Sequence, residues 1–551
     1  MEHMREEQRK PRYNLRQNTG YMIALAWKRQ RSVLWLCLAI AALSVGTSLA
    51  ELFIAPVILQ KVERVVPLPE LLGTIAGFAA LLAALRGLSA YAAANTIFGR
   101  ISVRSWLASA LHEKYATTSY PNTEDAALLA LLKRAQTAVA GNNEATEAVW
   151  DTLTGLLKNL AGFLVYFFMI NALDPFLVAV TLFTAASSYF ASRRIHEWGY
   201  RHRTQMGGYV SRLDYICARA EDPKIAKDIR IFGMRSWLED VYAGTLRLYQ
   251  AFIARRENVY IWANVIDVAL SVLRNGFAYA YLLAFTLREH LPASTFLLYF
   301  AAIGGFTAWI TGLLNEYTTL NKQSQEISIV REFLEAPECF CFENGEALEP
   351  DSDGRYEIEL RGVTFRYPGA ERDALRGIDL IIRPGEKLAI VGLNGAGKTT
   401  LVKLICGFYD PSAGEVRLNG KDIRQYNRQD YYRHFSAVFQ QFSVLEATLA
   451  QNIAQTDRQI DYAKLSACIG KAGLTQRVER LPQRYETHIG RIVFEDGVML
   501  SGGEMQRLML ARALYKDAPI ILLDEPTAAL DPIAEDDIYH KYHELTQGRT
   551  S

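Results

Sequence analysis

The sequence predicts two parts of different fold class: an N-terminal all-α membrane domain with six transmembrane helices and a C-terminal α/β domain. Long apolar runs fill the first part, between residues 30 and 318. After about residue 345, short apolar runs bounded by Gly and Pro alternate with helical patterns. A chain of 551 residues is also too long for one ordinary domain. We therefore predict an N-terminal segment at 1–30, the membrane domain at 31–318, a linker at 319–354 and the α/β domain at 355–551.

Six stretches are apolar over the length of about 20 residues that a membrane-spanning helix needs. The segments 100–152 and 194–257 are instead polar, helical in pattern and rich in Arg and Lys, as is the N-terminal segment. Since basic residues collect on the cytoplasmic side, we expect both termini and the α/β domain in the cytoplasm, with the chain in the plasma or inner membrane. A large soluble all-α domain fits neither the run length nor this alternation. The six stretches lie near 33–60, 71–99, 153–172, 175–193, 258–287 and 292–315.

Four ionisable residues, Glu51, Arg86, Asp267 and Arg274, fall inside the predicted spans. A charge in a bilayer is costly, so such side chains usually face the bundle interior or a wet cavity. Asp267 and Arg274 are seven positions apart and therefore share a helix face. Two interpretations stay open: a polar substrate cavity, or ion pairs within the bundle and helices that extend beyond the lipid.

The charge and the cysteines argue against nucleic-acid binding, a disulfide framework and a structural metal site. A formal net charge of +1 gives no overall electrostatic footprint for nucleic acid. The six cysteines are scattered and form no disulfide framework. Cys339 and Cys341 make a lone C-x-C pair, which has fewer ligands than a structural metal site needs.

A phosphate-binding loop follows the predicted strand Lys387–Val391 and precedes the predicted helix Thr400–Cys406. The loop reads G-x-x-x-x-G-K-[ST], whose glycines let backbone N–H groups close around nucleotide phosphates. Lys398 supplies a cation, and the Thr399 hydroxyl can ligate Mg²⁺. We therefore predict that ATP and Mg²⁺ bind to Gly392, Leu393, Asn394, Gly395, Ala396, Gly397, Lys398, Thr399 and Thr400.

The second motif is acidic, and phosphate-binding loops need such a motif to hold Mg²⁺ and to activate water. The apolar run from Ile520 to Leu523 is typical of a buried parallel strand, and it ends in Asp524 and Glu525. Asp524, at the strand tip, is expected to hold Mg²⁺ through water. Glu525 is placed to orient or deprotonate the attacking water, so we predict it to be the catalytic base.

The segment Leu500-Ser501-Gly502-Gly503-Glu504 resembles the signature of the ATP-binding cassette (ABC) superfamily. In that family the signature caps the γ-phosphate on the P-loop of a second cassette. A Ser hydroxyl, glycine N–H groups and a helix N-terminus all suit an anion. The resemblance implies that Ser501, Gly502, Gly503 and Glu504 act on the partner's nucleotide, with Glu504 departing slightly from the family's usual Gln.

Three more positions match the family one by one. Tyr367 resembles the aromatic residue that stacks on adenine, and Gln440 resembles the glutamine that reaches Mg²⁺ and the attacking water. Asp531 resembles the acidic residue of the loop that crosses the dimer interface. The resemblance therefore implies catalytic roles for Glu525 and Gln440 and a metal site at Thr399, Gln440 and Asp524.

A membrane domain fused to one cassette resembles the exporter-type half-transporters of subfamily B. The resemblance implies ATP-driven transport, with export as the expected direction, by a dimer with a second half-transporter that is either identical or different. It also implies coupling helices near 122–134 and beside 226–233. Two alternatives stay open: uptake of a metal chelate by the same fold, and a membrane-anchored regulatory ATPase. The substrate is not predicted.

The end of the chain departs from the family pattern. A switch histidine follows the Asp531 loop by about one helix and one strand in the family, and the sequence stops at Ser551 before reaching it. His540 and His543 fall in the preceding helical stretch and do not match that histidine. We therefore expect a cassette that is incomplete at its C-terminal end and, as given, poorly active.

Overall fold

The chain divides into two compact units in its computed structural model. One comprises Met1–Lys114 and Ala130–Glu335, and the other comprises Tyr115–Leu129 and Ala336–Ser551. Most of the predicted span 175–193 lies outside the described residues, as do Asn394, Glu525 and Asp531. The structure describes residues 11–172, 202–348, 355–393, 395–440, 443–524 and 548–551, with the single positions 175, 176, 178, 179, 182 and 546.

Long helices make up the first unit. Within the described residues, α2, α3, α6 and α10 are long and apolar enough to cross a membrane. The predicted span 258–287 lies inside α9, and the predicted total of six spans stays a prediction. The helices before the cassette are α1 (Leu15–Arg29), α2 (Ser32–Glu63), α3 (Leu68–Thr117), α4 (Tyr120–Glu124), α5 (Ala126–Val139), α6 (Ala145–Asn171), α7 (Arg203–Glu221), α8 (Ala226–Ile231), α9 (Arg235–Glu289) and α10 (Ala293–Leu334).

Large and small side chains interlock where α6 meets α10. Trp309 packs so closely over Gly162 that a Cβ there would lie 2.5 Å from its ring. Tyr166 covers Gly305 at the same distance. Phe306 is fully buried in the same core as Tyr166 and Trp309. Glycines therefore allow the two helix backbones to approach, as in other packed membrane helices.

Ion pairs account for part of the charge inside the helical unit. Arg86 lies 2.6 Å from Glu51, which joins two of the ionisable residues in the predicted spans. Glu147 is 3% exposed and lies 3.1 Å from Arg104 Nε, because a buried carboxylate needs a cation beside it. The side chains of Asp267 and Arg274, on α9, lie outside the described part of the chain.

Two sheets organise the described part of the second unit. The antiparallel sheet has the order β2-β1-β3-β4, and a parallel pair is formed by β5 and β6. The predicted buried strand at 520–523 is confirmed as β6, whose Leu523 pairs with Val438. The strands are β1 (Ile358–Phe365), β2 (Leu375–Ile382), β3 (Ala413–Leu418), β4 (Lys421–Asp422), β5 (Phe435–Val438) and β6 (Ile520–Leu523).

Helices cover these sheets and form a second core of their own. Leu404 and Ile405 of α11 pack into the core of the antiparallel sheet, whereas Leu508 and Ala511 of α16 lie in a separate helical core. The helices are α11 (Lys398–Ile405), α12 (Arg428–Arg433), α13 (Leu449–Ala454), α14 (Tyr462–Lys471), α15 (Thr475–Glu479) and α16 (Gly502–Lys516).

The segment before the phosphate-binding loop differs from its prediction. Residues 387–391 form no regular strand. The Leu388 N–H donates to the Ser551 carbonyl, and the Ser551 N–H donates to the Glu386 carbonyl. A strand is defined by a ladder of such bonds, and these two bonds alone do not form one along 387–391.

Candidate nucleotide-binding site

The phosphate-binding loop takes a glycine-dependent conformation. Gly395 and Gly397 have positive φ angles of 81° and 91°, which residues with a Cβ rarely adopt. A Cβ on Gly397 would also lie 2.7 Å from a methyl of Leu375. The loop therefore needs glycine at 397 for two reasons, backbone angle and space.

Lys398, the first residue of α11, lies over the loop. Its Nζ donates to the Gly392 carbonyl at 2.8 Å and to the Leu393 carbonyl at 3.1 Å. The Ala396 N–H donates to the Leu393 carbonyl, which closes the turn. The Leu393 side chain is 85% exposed. The ammonium group is thus held by neutral carbonyls, which an anionic phosphate can replace.

Thr399 and Asp524 meet as the two motifs predict. The Thr399 hydroxyl donates to Asp524 Oδ1 at 3.2 Å. The Asp524 N–H donates to the Val438 carbonyl at 2.9 Å, because β5 and β6 run in parallel. Asp524 is 5% exposed, and its Oδ2 has no hydrogen-bond partner among the described residues. A hydroxyl and a buried carboxylate oxygen that lacks a partner fit the oxygen ligands that Mg²⁺ prefers.

Tyr367 is tied to the same helix. Its hydroxyl lies 3.0 Å from Thr400 Oγ1 within hydrogen-bonding reach, and its ring meets those of Phe365 and Tyr409 edge-on. Gln440 is exposed two residues beyond the end of β5. The roles of these side chains toward adenine and Mg²⁺ stay predictions.

The signature residues begin α16. Ser501 is the N-cap: its hydroxyl accepts from the Glu504 N–H at 3.4 Å, and its own N–H donates to Glu504 Oε2 at 2.8 Å. This reciprocal arrangement is a capping box, which satisfies two helix N–H groups. Ser501 and Gly502 are exposed, and Gly503 is partly buried. The exposed end of the helix can therefore receive an anion.

A short helix in the predicted coupling region packs on the cassette's core. Tyr120 of α4 stacks on Phe408 with ring centroids 4.7 Å apart. The Tyr409 hydroxyl donates to the Glu124 carboxylate, and Lys403 Nζ lies 3.3 Å from it. Burial raises the pKa of Glu124, but the hydrogen bonds from both tyrosines and the Lys403 charge outweigh it and lower the pKa below its usual value. Sequence reasoning missed Tyr409 and Lys403, because no motif joins them to Glu124.

Sequence comparisons match this part of the chain to a known protein family. Residues 375–528 match the family described as ABC transporter. The chain is 43% identical over 223 residues to an ATP-dependent lipid A-core flippase of Alkalilimnicola ehrlichii, which covers 40% of this chain and 36% of that protein. It is 31% identical over 451 residues to an ATP-dependent lipid A-core flippase of Dechloromonas aromatica, which covers 79% of this chain and 72% of that protein.

The fold agrees with that of a solved transporter. A bacterial Atm1-family ABC exporter with ATP bound superposes with a TM-score of 0.76 over 95% of this chain and 90% of that one, at 24% identity. The first three curated relatives are matched over only 36% to 48% of their length. The Dechloromonas relative, however, is matched over most of both sequences. The chain is therefore a multi-pass membrane protein with an ATP-binding cassette; it has the fold of an ABC exporter and belongs to the ABC transporter family.

Proposed function

We propose that this protein uses ATP hydrolysis to export an amphipathic substrate across the membrane, as a dimer of half-transporters. One observation carries the proposal: the Thr399–Asp524 pair, with a buried carboxylate oxygen lacking a partner, stands beside the phosphate-binding loop in a chain that also has membrane-crossing helices. We place the cassette on the cytoplasmic side of the plasma or inner membrane, as the basic loops indicate.

The proposed nucleotide chemistry divides among a few side chains. Lys398 exchanges its carbonyl partners for the β- and γ-phosphate oxygens, and the backbone N–H groups from Gly395 to Thr399 surround them. Thr399, Asp524 and Gln440 would hold Mg²⁺, which would supply positive charge beside the phosphates. Glu525 accepts the proton of the attacking water.

The proposed dimer follows from the position of the signature. Ser501, Gly502 and Gly503 offer a hydroxyl and N–H groups at an exposed helix N-terminus, which suits the γ-phosphate held by a second cassette. The partner closes over ATP and opens after hydrolysis, and this cycle drives the membrane helices between two states. Asp531 is proposed to cross the same interface. An identical chain or a different half-transporter can be the partner, because this chain carries both a phosphate-binding loop and a signature.

The proposed substrate class is an amphipathic lipid. Two relatives are named as lipid A-core flippases, and one of them aligns with most of this chain. Apolar helices with a few ion pairs, such as Glu51–Arg86, suit a molecule with an acyl part and a charged headgroup. A lipid with both features is therefore the first candidate to test.

The proposal is tested with the purified protein in liposomes that carry fluorescent lipids and expose the cassettes to added ATP. We expect ATP-dependent movement of a labelled lipid to the inner leaflet. Glu525→Gln is expected to bind ATP, remain a closed dimer and hydrolyse ATP at least about 100-fold more slowly, because the general base is lost.

Asp517→Asn is the matched control, since Asp517 is about half exposed, pairs with Arg549 and belongs to no motif that carries the proposed chemistry. Hydrolysis without movement of any lipid would contradict export and support the regulatory ATPase. Unchanged hydrolysis in Glu525→Gln would show that another group is the base.

A further inference from the structure

Glu504 places a negative charge where the proposed function needs an anion to bind. It lies in the first turn of α16, two residues beyond Gly502. A carboxylate there favours the helix dipole but repels a phosphate that approaches the same helix end. The capping box does not require that charge, since a glutamine at the third helical position accepts the same N–H bond. The charge therefore needs its own compensation.

Arg477 supplies a cation at this position. Its Nε lies 2.8 Å from Glu504 Oε1, while the other carboxylate oxygen accepts from the Ser501 N–H. The two side chains are 33% and 28% exposed, so solvent screens the pair only in part. One carboxylate thus caps the helix through one oxygen and pairs with Arg477 through the other.

The helix that carries Arg477 is fixed to α16. Leu474 and Val478 flank it in sequence and are buried in the same helical core as α16. The Arg507 Nη1, on α16 itself, donates to the Gly473 carbonyl at 2.9 Å. Arg477 therefore reaches Glu504 from an anchored backbone, and little additional ordering is needed to form the ion pair.

We propose that Arg477 is a positioning residue for ATP turnover: it neutralises Glu504 so that the N-terminus of α16 stays open to the γ-phosphate of the nucleotide on the second chain. The inference rests on the proposed function of the signature. Arg477 touches Glu504 rather than the nucleotide. Arg477 contributes by neutralising the carboxylate at position 504, so its effect requires a glutamate there.

The test compares the apparent KM for ATP in Arg477→Gln, Glu504→Gln and the double variant, in the full-length protein in lipid. We expect Arg477→Gln to raise KM about tenfold, because it leaves an unpaired carboxylate at the phosphate position. Added salt should reduce that increase by screening the carboxylate. The double variant should return KM to within about twofold of the parent, since no charge remains to be compensated.

Arg480→Gln is the matched control, because Arg480 is exposed one residue beyond the end of α15. It should leave KM unchanged, and Arg477→Lys should retain most of the parent behaviour. A double variant as impaired as Arg477→Gln would assign Arg477 a merely structural role and overturn the inference. An unchanged KM in Arg477→Gln would overturn it as well. Loss of lipid movement with intact ATP turnover would instead contradict the proposed export and leave the KM comparison valid.

Discussion

The phosphate-binding loop and the N-terminus of the signature helix α16 are the two proposed anion-binding sites, and their local structures differ. At the loop, Lys398 rests on neutral carbonyls and Asp524 keeps one buried oxygen without a partner in the described structure. At α16, Ser501 and Glu504 satisfy each other, and Arg477 balances the remaining charge. The phosphate-binding loop depends on its backbone conformation and on two side chains, Lys398 and Asp524, that can still bind a ligand. The second site depends on a local charge balance that is already complete.

This difference predicts unequal tolerance to substitution. Side chains that are proposed to bind a ligand contribute to turnover rather than to folding. Their loss should therefore reduce activity and leave stability intact. Groups that satisfy each other contribute to folding first. Substitution of Asp524 should therefore reduce activity without reducing stability, whereas substitution of Ser501 should reduce stability as well.

The largest effect is expected for Asp524→Asn. The amide keeps the size of the side chain but removes the charge that attracts Mg²⁺, so ATP turnover should fall by at least about 100-fold. The Mg²⁺ concentration for half-maximal ATPase activity should rise in any residual turnover, while the melting temperature stays near that of the parent. A large fall in melting temperature would show that the carboxylate is structural and would remove the contrast between the two ends.

The next effect is expected for Gly397→Ala. The added methyl meets Leu375, and the residue must keep a positive φ, so the folded state should lose about 2–4 kcal/mol from strain and overpacking together. Gly420→Ala is the matched control: Gly420 also has a positive φ but open space around it, so only the backbone strain of about 1–2 kcal/mol applies. Chemical unfolding measures both. Equal losses of folding free energy in the two variants would mean that the contact with Leu375 does not contribute to the effect of Gly397→Ala.

The smallest effect is expected for Ser501→Ala. Removing the capping hydroxyl should destabilise α16 by about 1 kcal/mol. Thr448→Ala provides the comparison, since Thr448 forms the same capping box with Gln451 at the start of α13. Both variants should lose similar stability, but only Ser501→Ala should slow ATP turnover. A similar loss of turnover in Thr448→Ala would assign the effect to the helix cap alone.

Sequence reasoning reached the parts of the site that lie within short motifs. Thr399 and Asp524 are far apart in the chain, yet each belongs to a motif whose partner is known, and the structure brings them together. Arg477 and Tyr409 belong to no motif, so their contacts with Glu504 and Glu124 depend on packing that local patterns do not encode. The segment 387–391 has the composition of a strand but is not one in the described structure, because strand formation depends on non-local pairing that composition does not encode.

The contact of α4 with the cassette affects how the protein can be divided for study. Tyr120 stacks on Phe408, and the Glu124 carboxylate accepts a hydrogen bond from Tyr409. Tyr120 and Glu124 belong to a segment far upstream of the cassette in the chain. A fragment that began at the first strand of the cassette would expose these aromatic rings and leave Lys403 without its carboxylate. This compact unit is thus discontinuous in sequence, and a peptide spanning 115–129 is the natural complement of an excised cassette.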